Sequence, residues 1–127
     1  MRAVPLRECY PLLHSLAYSI ARAARVRMPR IYAYGRDRSA YIPGYGIFMP
    51  RYDTAFFEAS LLHEMAHHIQ FSRVGARGRK RILRRPHAHG YVEALRYVLT
   101  AWFGERDRWD YPFDWEYRSV AKALRNG

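Results

Sequence analysis

Leu12, Leu13, Leu16, Ile20 and Ala24 recur at the spacing of one helical face, which predicts an amphipathic helix over about residues 10–26, stopped at Met28-Pro29. The next segment, RIYAYGR at 30–36, alternates in strand fashion. AYIPGYGIFMP at 40–50 reads as a second extended segment or a hairpin, with turn chemistry at Pro43-Gly44. Together they predict a small antiparallel sheet. Apolar periodicity then predicts a helix over about 55–73, capped by Asp53 or Thr54 and ended by Gly75. A loop at 75–87 leads to a helix over about 90–103, and Asp114 is placed to cap a last short helix reaching about 125. Helix, small sheet and further helices make an α+β pattern. There is no internal repeat or low-complexity linker, so residues 1–127 form a single domain.

Composition narrows the chemistry. Half of the 127 residues are apolar or aromatic, enough for one core. Cys9 is the only cysteine, so a metal site must be built from histidine and carboxylate. No run approaches the ~18 apolar residues of a membrane span, and Arg22 and Arg25 interrupt the N-terminal apolar stretch, so the expectation is an intracellular, cytoplasmic protein without a membrane partner. Basic residues outnumber acidic ones by 22 to 11, and 20 of the 22 are arginine, whose donor fork matches phosphate and stacks on bases. Nucleic acid is therefore a candidate partner, through Arg77, Arg79, Lys80, Arg81, Arg84 and Arg85 of the stretch RVGARGRKRILRR. A solvated charge run, or an arginine bias of genomic or thermal origin, is the plain alternative.

Within the strongest predicted helix lies LLHEMAHHIQ, residues 61–70. Residues four apart share a helical face, so His63 and His67 can direct imidazole nitrogens at one Zn²⁺ while Glu64, one step round, reaches water at that ion. With residue frequencies near 0.05, the pattern arises by chance somewhere in such a chain about one time in a hundred. Its flanks, Leu61, Leu62, Met65, Ala66 and Ile69, carry no competing charge.

A catalytic zinc keeps three protein ligands and an open position. The compact metalloprotease pattern would need a glycine where Gln70 stands and a histidine where Arg73 stands, which excludes that class. The downstream candidates are His87, His89 and Glu93. His89 is preferred, because it precedes Gly90 and a fresh helix from whose start it can project, with Gly90 permitting close packing. Glu93 is the alternative ligand, or the acceptor of a ligand histidine's other N–H. His87 reads as a loop residue, and His14 and His68 as structural ones.

The segments AYIPGYGIFMP, LLHEMAHHIQ and HAHGYVEAL resemble the SprT-like zinc metalloproteases and related small zincin-fold metallohydrolases over about residues 38–98. The resemblance implies a minimal zincin-like fold, one Zn²⁺ on His63, His67 and His89, and a catalytic Glu64. The expected reaction is peptide-bond hydrolysis on a protein or peptide substrate, with Glu64 as the base for the attacking water. Tyr91, Tyr97, Arg96 and His68 are candidate donors to the developing oxyanion. Residues 41–49 offer a strand edge to which a peptide can add. The competing expectation is a basic nucleic-acid-binding protein whose zinc is structural or vestigial.

Overall fold

The structure, a computed structural model, describes residues 3–34, 38–50, 57–88, 90–113 and 116–126. Asp53, Thr54, His89 and Asp114, which the sequence assigns capping or ligand roles, lie outside them.

The chain opens with β1 (Val4–Pro5), a single helical turn α1 (Leu6–Cys9) and α2 (Pro11–Ala23). Pro11 sits at the first position of α2, where its missing N–H costs nothing. Then come β2 (Ile31–Tyr34), β3 (Ala40–Ile42) and β4 (Gly46–Pro50), followed by α3 (Phe57–Ser72), α4 (Ala76–Arg84), α5 (Tyr91–Phe103), a 3₁₀ turn at Arg106–Arg108 and α6 (Arg118–Asn126). The α+β class follows, with a small four-stranded sheet. No helix among the described residues is long and apolar enough to cross a membrane.

The sheet is mixed, not antiparallel as the sequence suggested. Its order is β1-β2-β4-β3, with β1 and β3 antiparallel to their neighbours and β2 parallel to β4. The physical reason is the composition of β4. Its residues Gly46, Ile47, Met49 and Pro50 are all buried, so it belongs at the centre, and β3, whose Ile42 is 45% exposed, is left at the edge. The β3–β4 hairpin does turn at Pro43–Tyr45, with Gly44 at positive φ. Where β4 begins, Gly46 has φ +128°, and a Cβ there would lie 2.2 Å from the Arg30 carbonyl oxygen, which accepts the Ile47 N–H at 2.8 Å. Only glycine permits that approach.

The stretch read as a loop over 75–87 is helical for most of its length, as α4. Its arginines and lysine are good helix formers, but only Ile82 is buried, so no apolar stripe announces it. By contrast α3 is buried nearly all round. Its Leu61, Leu62, Met65 and Ile69 pack with Leu95, Val98 and Leu99 of α5, all fully buried and each stabilising by about 1.5–3 kcal/mol. Ile47 and Met49 of β4, Ile20 of α2 and Leu124 of α6 complete this core. The motif helix is thereby held on every side.

Candidate metal centre

One turn of α3 carries His63 and His67, and the segment after α4 brings His87 to them. The three Nε2 atoms form a triangle: His67 to His63 3.2 Å, His67 to His87 3.2 Å, and His87 to His63 3.3 Å. Three ligands of a tetrahedral ion at about 2.0 Å would stand about 3.3 Å apart, so the triangle has the size of one tetrahedral face. These three are the group among the described residues whose ligand atoms could share a metal ion.

Hydrogen bonds on the far side of two rings show which nitrogen is bare. His63 Nδ1 faces Glu116 Oε1 at 2.7 Å and Tyr91 Oη at 2.6 Å, and a carboxylate only accepts, so the proton sits on Nδ1. His67 Nδ1 donates to Gln70 Oε1 at 3.1 Å. Both Nε2 atoms therefore present lone pairs to the same point, an arrangement that is repulsive until a cation fills it. Burial, reinforced by the neighbouring His63, holds the His67 pKa down to about 3, and burial also lowers that of His87. Both rings are thus neutral near pH 7, the form that binds metal.

Gln70 has a second task. While its Oε1 accepts from His67, its Nε2 donates to the carbonyls of Pro86 at 3.0 Å and Ala88 at 2.7 Å, which flank His87. One buried amide thus orients a ligand on the helix and pins the loop that carries another. The i, i+3 spacing of His67 and Gln70 was visible in the sequence, whereas the reach to residues 86 and 88 was not.

Glu116 plays the carboxylate role that the sequence reading offered to Glu93. Its Oε1 accepts from His63, from Tyr91 Oη at 2.9 Å and from the Tyr111 hydroxyl. These hydrogen bonds and the nearby His63 outweigh burial and keep its pKa below the ordinary carboxylate value. Burial and Glu116 push the hydroxyls of Tyr91 and Tyr111 up, so both remain donors. Nothing in ERDRWDYPFDWE distinguishes Glu116 from the other four acids there.

Glu64 is buried, and Ser39 donates to its Oε2 at 2.8 Å. Burial raises its pKa, opposed by His63 and by the Ser39 hydrogen bond. Four residues on, His68 accepts from Tyr41 Oη at 3.1 Å and donates through Nε2 to the Arg27 carbonyl at 2.6 Å. Two residues of strand and one turn of helix both span about 6 Å. Ser39 and Tyr41 thus meet Glu64 and His68 in step, which lays the edge strand β3 along the motif face of α3.

The remaining candidates are dispersed. Tyr91 is fully buried beneath the cluster, and its hydroxyl is committed to Glu116 and His63. Arg96 donates to the Ala123 carbonyl, Tyr97 lies under the Arg73 guanidinium, and His68 is engaged on both nitrogens. Glu93 is exposed on α5. His89, the expected third ligand, lies outside the described residues, and His87 occupies that corner. Gly90 does start a helix, but by its φ of +96°, since a Cβ there would meet nothing within 4 Å and close packing is not its role. Arg77, Arg79, Lys80, Arg81, Arg84 and Arg85 are all exposed, on and just after α4. No protein-family model, curated protein or solved structure matches the chain.

Proposed function

We propose that the chain is a zinc-dependent peptidase with a zincin-like fold, related to the SprT-like metalloproteases that its motifs resemble. The observation that carries this reading is the convergence of three imidazole Nε2 atoms beside a buried glutamate of the same helical turn. His63, His67 and His87 would hold the ion. Three histidines with no fourth donor among the described residues is the ligand count of a site with an open position. Zn²⁺ in that place supplies a Lewis acid and brings the pKa of water towards ~7.

The chain's own residues supply the rest. Glu64, not a ligand, takes the proton of the attacking water and returns it to the leaving amine, and its raised pKa favours that exchange. Ser39 holds one carboxylate oxygen and so aims the other. Edge strand β3 runs beside Glu64, where an extended peptide can add by main-chain hydrogen bonds.

Glu64→Gln tests the reading. It should leave zinc content and fold unchanged and reduce cleavage by about 10²-fold or more. Cleavage of an unstructured protein and of a DNA-bound one is assayed, with zinc measured on the same samples. Wild type inert on both would favour a binding protein with a structural metal. A variant that cleaves at the parent's rate would refute the mechanism.

A further inference from the structure

We propose that the basic cleft at the hairpin end of β3 is a subsite for an acidic side chain, so that the peptides taken up along β3 carry aspartate or glutamate a short way before the cleaved bond. This substrate class rests on the peptidase reading. The Ser39–Glu64 and Tyr41–His68 contacts are successive steps of one groove between β3 and α3. The groove continues past them: Tyr41 and His68, with Tyr45 of the hairpin turn and Phe71 near the end of α3, line a cleft of about 530 Å³. Arg27 and Arg30, which precede β2, and Arg79 of α4 complete its walls.

All three arginines are exposed, no aspartate or glutamate lines the cleft, and among the described residues none of the three pairs with a carboxylate. The Arg79 guanidinium lies 4.9 Å over the Phe71 ring, which holds the fork in place without neutralising it. A guanidinium takes a carboxylate through two parallel N–H···O bonds, whereas a lysine or arginine side chain brought here would meet like charge.

Strand alternation decides which residue of a peptide enters. A peptide added to the free edge of β3 repeats every two residues, about 6–7 Å, and so keeps step with Ser39 and Tyr41 and with one turn of α3. A side chain two residues from the one beside Glu64 therefore lies level with His68, where the cleft begins. Antiparallel pairing, which β3 already makes with β4, starts the peptide at the hairpin end and runs it towards Ser39. The acidic residue accordingly stands two or three residues before the cleaved bond. Continuity with the β3 groove favours a peptide over other polyanions, because the cleft and Glu64 then act on one bound chain.

Two measurements on the full chain test this. The first uses zinc-loaded Glu64→Gln, so that cleavage plays no part: fluorescence anisotropy compares a labelled neutral peptide carrying one Glu with its Gln and Lys analogues. The Glu peptide should bind more tightly than the Gln one by roughly 5- to 30-fold at low salt and by less at high salt, and the Lys peptide should bind weakest. Changing Arg27, Arg30 and Arg79 together to Gln should bring the Glu to Gln ratio close to one, and Arg79→Gln alone should lower it in part. The backbone carbonyls of Arg27 and Arg30 that anchor His68 and Ile47 remain in these variants. Equal affinity for the Glu and Gln peptides overturns the proposal, as does a Glu preference that survives the triple change. A triple variant that loses affinity for a single-stranded oligonucleotide while keeping the Glu preference assigns the cleft to nucleic acid and overturns it too. The second measurement maps cleavage by wild type, with the Glu walked along the peptide, and the cut should move with the Glu. A cut that stays in place refutes the subsite and leaves the peptidase reading standing. A wild type that cuts none of the series yet binds the Glu peptide through the three arginines sinks the peptidase reading and upholds the cleft as an acidic-peptide site.

Discussion

Gln70→Leu removes three hydrogen bonds and keeps a side chain of similar size. In the folded protein Gln70 is 3% exposed, so water does not replace the lost partner of His67 Nδ1–H, and an unpaired buried donor costs about 1–3 kcal/mol. The Pro86 and Ala88 carbonyls lie on an exposed to half-buried loop, where solvent can take over, so they add little. Stability should fall by about 1–3 kcal/mol in all, which the fold can survive. Affinity for zinc at the proposed site should fall as well. His67 no longer has a reason to keep its proton on Nδ1, and His87 is no longer pinned, and lost support of a ligand costs about 10- to 100-fold. Competition against a chromophoric chelator measures this directly. Gln70→Glu separates the two effects, because it keeps an acceptor for His67 but sets an anion against the two carbonyls, and it should lie between parent and Gln70→Leu. A folded Gln70→Leu protein with the parent's zinc affinity would refute the reasoning, since neither tautomer nor loop would then depend on Gln70.

Three other expectations can be checked on the same preparations. His87→Ala should lose zinc while His89→Ala keeps it, by metal analysis after dialysis, and the reverse result would return the third position to His89. The unfolded chain takes up histidine protons near pH 6.5, whereas burial keeps His67 neutral down to about 3 and lowers the pKa of His68 and His87. The unfolded state therefore binds more protons in this window. Stability of the metal-free protein should be fullest above about pH 6.5 and fall towards acid, by up to about 1.4 kcal/mol per pH unit for each such group, and equal denaturant midpoints at neutral and mildly acidic pH would contradict it. Gly46→Ala should cost about 3 kcal/mol or more, because its Cβ meets the Arg30 carbonyl at 2.2 Å in a positive-φ conformation, and an unchanged melting temperature would exclude that contact.

Much of this fold is legible along the chain. The helices α2, α3 and α5 stand within a few residues of where periodicity places them, and the hairpin turns where Pro43-Gly44 predicts. His63, Glu64 and His67 share a helical turn because their spacing is a local matter, decided by 3.6 residues per turn and nothing else. What escaped has a different character. Helix α4 lacks an apolar stripe, so its charge reads as loop. The parallel pairing of β2 with β4 depends on a competition among strands for the buried centre, which no single strand records. His87 comes to His63 across 24 residues, and Glu116 across 53. Such partners are chosen by how α5 and the chain after it pack on α3. The motif could therefore name two of the three imidazoles, while the third, the carboxylate behind His63 and the reach of Gln70 to the loop of His87 required the packed core, because long-range proximity is a property of the whole assembly of elements and is written in none of them alone.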